Sequence, residues 1–289
     1  MRFLFARVYS SIFGFFHDKA KFNIRGLGFF LRRLNKDHVI DINNLKMYMC
    51  SDIGTSYARL ISGDWAEPET HVFLNSTLEI LGESTFIDIG ANVGEMVLSV
   101  AKNTNLKNVF AFEPDPVCSK VININNIIND ISNCFIYQKA LSDSAGQLLL
   151  TAAGTPQASL TNVVNRDDPS QIAVDVTTLD DVIERDNLQQ KIGGSETIIL
   201  VDVEGHEPQV LAGAKYFIDS NRPVVIFEFN STSKQFFCLD DIKSNLPSGY
   251  EIFRLNRSGH LDTDLSSTWN CVALDTASVS HQLIRKRDI

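Results

Sequence analysis

The stretch Thr85-Phe86-Ile87-Asp88-Ile89-Gly90-Ala91-Asn92-Val93-Gly94 constrains this chain more than any other. It opens with apolar, β-prone residues and turns on two glycines. It then enters a helical spacing of apolar positions at Met96, Val97, Val100 and Ala101. Strand, Gly-bounded turn and helix start in succession make a ligand-binding corner. Glycine lets backbone approach a ligand closely, and the helix end presents unpaired N–H groups. A dinucleotide fingerprint would need a third glycine, in the order G-x-G-x-x-G, and it is absent. Asp88 stands just ahead of the first glycine, which suits a cationic or hydroxyl-rich ligand better than a pyrophosphate.

A second apolar run, Val109-Phe110-Ala111-Phe112, ends at Glu113-Pro114-Asp115. A carboxylate at that strand end takes both hydroxyls of a ribose. Asp88 with Glu113 therefore reads as an S-adenosylmethionine site on a Rossmann-like methyltransferase fold. From residue 85 the alternation is regular: strands at 85–89, 108–112 and 133–138, with helices at 94–103 and 115–129. Strands separated by helices of this length predict βαβ units and a parallel sheet. After the third strand, the small, apolar Ala140 and Leu141 suit one face of an adenine ring. The period breaks between 146 and 183: short strands flank a polar loop over 153–170, an insertion that reads as a specificity element. It returns with a buried strand at 197–202, a helix at 208–220, a strand at 223–229, a helix near 233–245, and two strands at 250–255 and 269–274 that pair as a hairpin. The fold class is α/β: a Rossmann-like sheet of about seven strands, mostly parallel, with helices on both faces. Residues 1–60 are expected as an N-terminal helical and hairpin extension, 61–276 as the catalytic domain, and 277–289 as a solvated tail.

Ligands of open α/β sheets bind at the carboxyl ends of the strands. Asp202, Glu204 and His206 fall on that rim, three ionisable groups in five residues, and Gly205 lets them converge. Methyl transfer from a sulfonium to an alcohol is mainly a positioning task, helped by a base near neutrality. His206 is the leading candidate base. Asp202 orients the substrate hydroxyl or the base, and Glu204 holds a sugar hydroxyl or shapes the loop. A blander reading leaves Glu204 and Glu207 as helix N-terminal acids and His206 as a loop residue. No metal is required by this spacing, although Asp202, Glu204, His206 and Glu228 form a set of residue types that binds one. Trp65, beside Asp64, Glu67 and Glu69, reads as a packing anchor or as a contact for a polar ligand.

The formal net charge of −9 over 289 residues excludes nucleic acid as the default partner. The charge is uneven. Residues 1–36 carry eight Lys/Arg against the single acid Asp18, with Phe3, Phe5, Phe13, Phe15 and Phe16 on an apolar face. That segment reads either as packed on the catalytic domain or as a peripheral membrane or partner contact. Its apolar run at 11–16 is too short to span a bilayer and lacks a cleavage site, so a cytoplasmic protein is expected, with membrane association through residues 1–36 as the variant. The five cysteines show no C-x-x-C spacing and read as free thiols of a reducing compartment. Oligomeric state is left open.

Five motifs in register carry a resemblance. They are the run from Phe86 to Gly94, Ala111-Phe112-Glu113-Pro114-Asp115, Lys139-Ala140-Leu141-Ser142-Asp143, Val176-Thr177-Thr178-Leu179-Asp180-Asp181, and Val201-Asp202-Val203-Glu204-Gly205-His206-Glu207. Over about residues 85–230 their order and spacing resemble the FkbM family of methyltransferases. The resemblance implies a class I S-adenosylmethionine-dependent enzyme, usually an O-methyltransferase acting on hydroxyls of sugars, glycans or polyketide-type products. It also implies that Gly90, Asn92, Gly94 and Glu113 carry the cofactor. The chain departs from the family pattern at Val201, where lysine is frequent, and at His206, where a small or another polar residue is frequent. The expected function is O-methylation of a sugar or glycan hydroxyl. The alternatives are methylation of a small natural product, and an inactive Rossmann-like scaffold.

Overall fold

A computed structural model describes residues 37–50, 53, 65–151, 159–161, 171–266 and 270–288. The basic segment 1–36 and most of the loop at 153–170 lie outside the described residues.

The chain begins with the hairpin β1 (His38–Ile42) and β2 (Leu45–Met49). Its turn residues Asn43 and Asn44 both have positive φ, 51° and 64°, the backbone that a tight two-residue hairpin requires. Helix α1 (Pro68–Leu81) leads to β3 (Ser84–Ile89), α2 (Glu95–Val100), β4 (Leu106–Phe112), α3 (Pro116–Ile128) and β5 (Cys134–Tyr137). Asp115 caps α3, accepting from the N–H groups of Val117 at 2.7 Å and Cys118 at 3.3 Å, and Pro116 occupies the first helical position.

A second sheet follows, made of β6 (Ala140–Leu141), β7 (Gly146–Thr151), β8 (Ser159–Thr161) and β9 (Ile172–Thr177), in the order β6-β9-β7-β8. The insertion is thus a small sheet of its own, and Ala140 and Leu141 belong to it. Helices α4 (Leu179–Arg185) and α5 (Leu188–Ile192) precede β10 (Glu196–Val201). The predicted helix at 208–220 is instead two, α6 (Glu207–Ala212) and α7 (Lys215–Asn221). Asp180 explains the break. Its N–H donates to the Gly213 carbonyl, and its carboxylate caps the second helix through the N–H groups of Tyr216 and Phe217. Strand β11 (Val224–Glu228) is followed by Asn230, whose side chain takes the N–H groups of Thr232 and Ser233. That turn leaves only a short 3-10 segment at Ser233–Gln235 and α8 (Leu239–Ser244) where one longer helix was expected. Strands β12 (Tyr250–Leu255), β13 (Leu261–Asp262) and β14 (Asn270–Asp275) complete the sheet.

The main sheet runs β13-β12-β14-β11-β10-β3-β4-β5, eight strands where about seven were expected; the extra one is the two-residue β13 at the edge. The pairs from β11 through β10, β3 and β4 to β5 are parallel, and β14 and β12 pair antiparallel as predicted. Buried apolar residues cover both faces. Ile87, Phe110, Val201 and Phe227 face α4 to α8, and Phe86, Val109, Leu200 and Ile226 face α1 and α2. A strand apolar on both sides reads as a continuous hydrophobic run, as β3, β4, β10 and β11 do. The β1–β2 hairpin packs Ile42, Leu45 and Met47 on Cys118 and Val121 of α3.

The residues after Asp275 were expected to be solvated. They form α9 (Val279–Asp288), which packs on α1. Ile284 is fully buried, and His281 accepts the Asp275 N–H through Nδ1 at 2.9 Å. The basic, low-hydropathy composition of this segment hid a helix held by one apolar side chain and one buried imidazole. All five cysteines are free thiols, and Cys50, Cys118 and Cys271 are buried. Among the described residues no helix is long and apolar enough to cross a membrane.

Candidate active site

The strand order reverses at β3: β4 and β5 lie on one side, β10 and β11 on the other. Loops leaving β3 and its neighbours diverge there and open a crevice at the strand ends. Backbone hydrogen bonds tie these ends together. Gly90 and Ala91 donate to the Phe112 carbonyl at 2.9 and 3.1 Å, Glu113 donates to Tyr137 at 3.0 Å, and Asp202 donates to Ile89 at 3.0 Å. A crevice of about 750 Å³, counting the solvent space it opens onto, sits on this seam.

Gly90 has φ +88°, and a Cβ placed on it would lie 1.9 Å from the Asp202 carbonyl oxygen. The glycine is required by the approach of the β10 end, not only by a ligand. Gly90→Ala is therefore expected to cost about 2–5 kcal/mol, adding left-handed strain to a forced displacement of the Asp202 backbone. Urea unfolding measures this; a loss below about 1 kcal/mol would show that the seam yields freely.

Glu113 lines the cavity and is 7% exposed. One carboxylate oxygen accepts the Asn92 N–H at 2.8 Å and the other accepts the Asp115 N–H at 2.7 Å. Asn92, at φ 50°, holds the turn in the shape that aims its N–H at Glu113. Burial pushes Glu113 up to about 7, against the lowering effect of those two donors. Asp88 is not on the cavity wall. It lies within β3, 1% exposed, with Oδ2 unpartnered, and burial together with the Glu113 charge pushes it up to about 8. Gly94 likewise lies off the wall; it starts α2 at φ +81° against Ile122. Ala140, Leu141, Leu150 and Leu160 supply an apolar wall, the last two from the region read as a specificity insertion. Trp65 is buried and stacked on His71 at 5.2 Å, the packing-anchor reading.

The expected convergence of Asp202, Glu204 and His206 holds for the two acids alone. Asp202 and Glu204 line the cavity. His206 is absent from its wall and pairs through Nε2 with Ser142 Oγ at 2.8 Å, tying the start of α6 to the segment after β6. Burial lowers its basicity, partly offset by Asp143. In its place two other acids approach Asp202. Single carboxylate oxygens of Asp202, Glu207 and Glu228 lie within 4.8 Å of one another. Burial and the facing acids, Glu228 first, hold the Asp202 carboxyl well above the usual range. Glu228 is pushed up to about 8 by burial and by Glu204, Glu207 and Glu67, and Glu207 to about 7, mainly by burial. Glu204 is raised by burial and by Glu67, and it sits at a strained φ of 55°. Sequence reasoning left Glu207 as a helix-start acid. The signal that finds it is its place at a helix start, just past the loop that follows a strand whose parallel neighbour ends in an acid.

The family model for the methyltransferase FkbM domain matches residues 88–260 of this chain. The methyltransferase sdnD of Sordaria araneosa is 41% identical over 66 residues, which are 22% of this chain and 26% of that protein. The chain thus matches only about a quarter of that relative's length. Among solved structures, the FkbM methyltransferase of Methylobacillus flagellatus KT is 20% identical with a TM-score of 0.43, over 66% of this chain and 44% of that one. An O-methyltransferase of Thermotoga maritima, described as SAM-dependent, is 12% identical with a TM-score of 0.39, over 71% of this chain and 64% of that one.

The residues present fit S-adenosylmethionine as cofactor. Each Glu113 oxygen keeps a lone pair beyond its N–H partner for a ribose hydroxyl. The apolar wall offers a face to adenine, and Asp202 and Glu204 border the same cavity. The Rossmann-like sheet, the Glu113 corner at its switch point and a domain match over most of the described chain lead to one placement: this chain belongs to the FkbM methyltransferase family.

Proposed function

We propose that this protein is an S-adenosylmethionine-dependent O-methyltransferase acting on a hydroxyl of a neutral sugar or glycan. The observation that carries this reading is that Asp202 and Glu204 line the same cavity as Glu113. A wall of carboxylates offers acceptors for hydroxyl groups, and a sugar presents several such donors side by side. The same wall, on a chain of net charge −9, disfavours phosphate-rich acceptors.

S-adenosylmethionine supplies an electrophilic methyl group on a sulfonium. The chain's own task is to align the acceptor oxygen with it and to take away the hydroxyl proton. Asp202, fixed at the β10 end by the bond from its N–H to Ile89, orients the hydroxyl. Glu204 receives the proton: burial raises its affinity for one, and it lines the cavity without belonging to the tight trio of acids. His206 acts at one remove, holding the segment after β6 through Ser142.

The test is release of S-adenosylhomocysteine with a panel of neutral glycosides, hydroxylated aromatic and polyketide-type compounds, and amines. Turnover of a glycoside is expected. Glu204→Gln should lower kcat about 100-fold while the cofactor Kd moves less than about threefold. His206→Asn should lower kcat less than about tenfold, since it holds a loop rather than a proton in transit. Methylation confined to amines or to the apolar hydroxy compounds would overturn the sugar assignment, and a larger loss from His206→Asn than from Glu204→Gln would return the base role to the imidazole.

A further inference from the structure

The trio of Asp202, Glu207 and Glu228 is difficult to explain as proton chemistry alone. Asp202 directly follows β10, Glu228 ends the adjacent parallel strand β11, and Glu207 opens α6, so three separate points of the chain deliver a carboxylate to one place. Their nearest oxygens lie within 4.8 Å of one another. The charged neighbours acting on Asp202 are Glu228, Glu67, Glu204 and Glu207, all acids. Like charges at this spacing repel strongly when buried.

A second observation is independent of the clustering. Glu207 is fully buried, and its Oε2 has no hydrogen-bond partner. Its other oxygen accepts the N–H groups of Val203 and Gly205 at 3.1 and 3.3 Å, so the side chain is locked in place with one oxygen unsatisfied. Glu228 is held too, one oxygen accepting from the Asn230 amide and the other from Ser233 Oγ at 3.2 Å. A buried acceptor without a partner is costly, and a fixed one beside two further carboxylates is what a bound cation satisfies. The donors are oxygens without sulfur or imidazole, the preference of a hard divalent ion.

We propose that Asp202, Glu207 and Glu228 form a binding site for a divalent cation of the magnesium class, at the edge of the cofactor cavity. Asp202 belongs both to the trio and to the cavity wall, so the ion sits next to the acceptor. A six-coordinate ion with three carboxylate ligands has positions left for water or for an acceptor oxygen. Bound there, it lowers the pKa of a coordinated hydroxyl and fixes its direction. This acceptor role rests on the methyl-transfer reading above; the cation site itself does not.

The experiment uses the full chain freed of metal by a chelator and titrated with Mn²⁺, with free ion read by electron paramagnetic resonance. Mg²⁺ competition and an S-adenosylmethionine titration are run on the same sample. One Mn²⁺ per chain, displaced by Mg²⁺, is expected. Binding should weaken about tenfold or more from pH 7.5 to pH 6.5, because at least one proton must leave the trio. Asp202→Asn and Glu228→Gln should each weaken it at least tenfold, with cooperative melting retained. The pH dependence and calorimetric proton release of the parent protein decide the matter if a variant does not fold. No site below millimolar, an affinity indifferent to pH, or an affinity unchanged in both folded variants overturns the cation and leaves a trio that shares protons. A sample that binds the ion but not S-adenosylmethionine keeps the cation site and sinks the methyl-transfer reading; the converse sinks the cation alone.

Discussion

Glu113→Gln is expected to weaken S-adenosylmethionine binding by about 100-fold or more. The carboxylate accepts one backbone N–H at each oxygen, from Asn92 and from Asp115. A carboxamide has one accepting end, so one of those N–H groups loses its partner and the turn carrying Asn92 loses its anchor. At the cofactor, two charge-assisted hydrogen bonds to ribose become at best one neutral bond. Hydrogen bonds to charged groups contribute about 1.5–3 kcal/mol each, so losing their charge and one of the two costs about 3 kcal/mol. That is about 100-fold in Kd. The parent protein should also show a pH signature. Burial places Glu113 at about 7, and only its ionised form accepts from both hydroxyls. Affinity should fall about tenfold between pH 8 and pH 6 in the parent, and stay flat in Glu113→Gln. Calorimetric titration at the two pH values reads both effects. A variant Kd within threefold of the parent, or the same pH slope in both proteins, would remove Glu113 from the ribose.

The corner around Glu113 was legible because its parts are local. Strand, glycine, glycine and helix are consecutive from Phe86 to Gly94, and a carboxylate one strand later must lie beside them in any parallel βαβ unit. The central strands were legible because burial on both faces leaves an unbroken apolar run. What stayed hidden depended on contacts distant in sequence. Asp180 breaks the helix after residue 212 from a position 36 residues ahead of the Tyr216 N–H it caps. Asn270 reaches Glu67 across 203 residues, and nothing local marks either as a partner. The separation of Glu207 from His206 was hidden for a related reason. Adjacent residues at a helix start differ by about 100° in direction, so which one turns toward Asp202 depends on the docking of α6, not on spacing.

The acids buried around this site make a second prediction that concerns the whole molecule: metal-free, cofactor-free protein should lose stability as pH rises from 6.5 to 8. Asp88 and Glu228 are pushed up to about 8, Glu113 and Glu207 to about 7, and Asp202 is raised as well, in each case chiefly by burial. Unfolded, these groups titrate near 4, so above that pH the unfolded chain has released protons that the folded chain still holds. Their stabilising contribution is complete below about pH 4 and fades as pH climbs through the folded values of 7 to 8. His281 opposes the trend, since burial lowers it to about 4, but most of its contribution is in place by about pH 6.5. The carboxylates held low by ion pairs or backbone donors, among them Asp275, act below pH 4. From 6.5 upward the raised acids therefore outweigh what is left of the opposing contribution of His281 and of His206, which burial lowers as well. Each contributes up to about 1.4 kcal/mol per pH unit, so two of them over this interval remove about 4 kcal/mol. For a chain of this size that lowers Tm by about 8 °C or more. Glu228→Gln should flatten the slope, because one proton no longer has to be held and Asp202 loses its largest like-charge neighbour. Magnesium, if the trio binds it, should raise Tm more at pH 8 than at pH 6.5, since it substitutes for protons that are already leaving. A Tm that is flat or rising over this interval would mean that these carboxyls are ionised and compensated, and that the protein does not hold its protons where the burial of this site says it must.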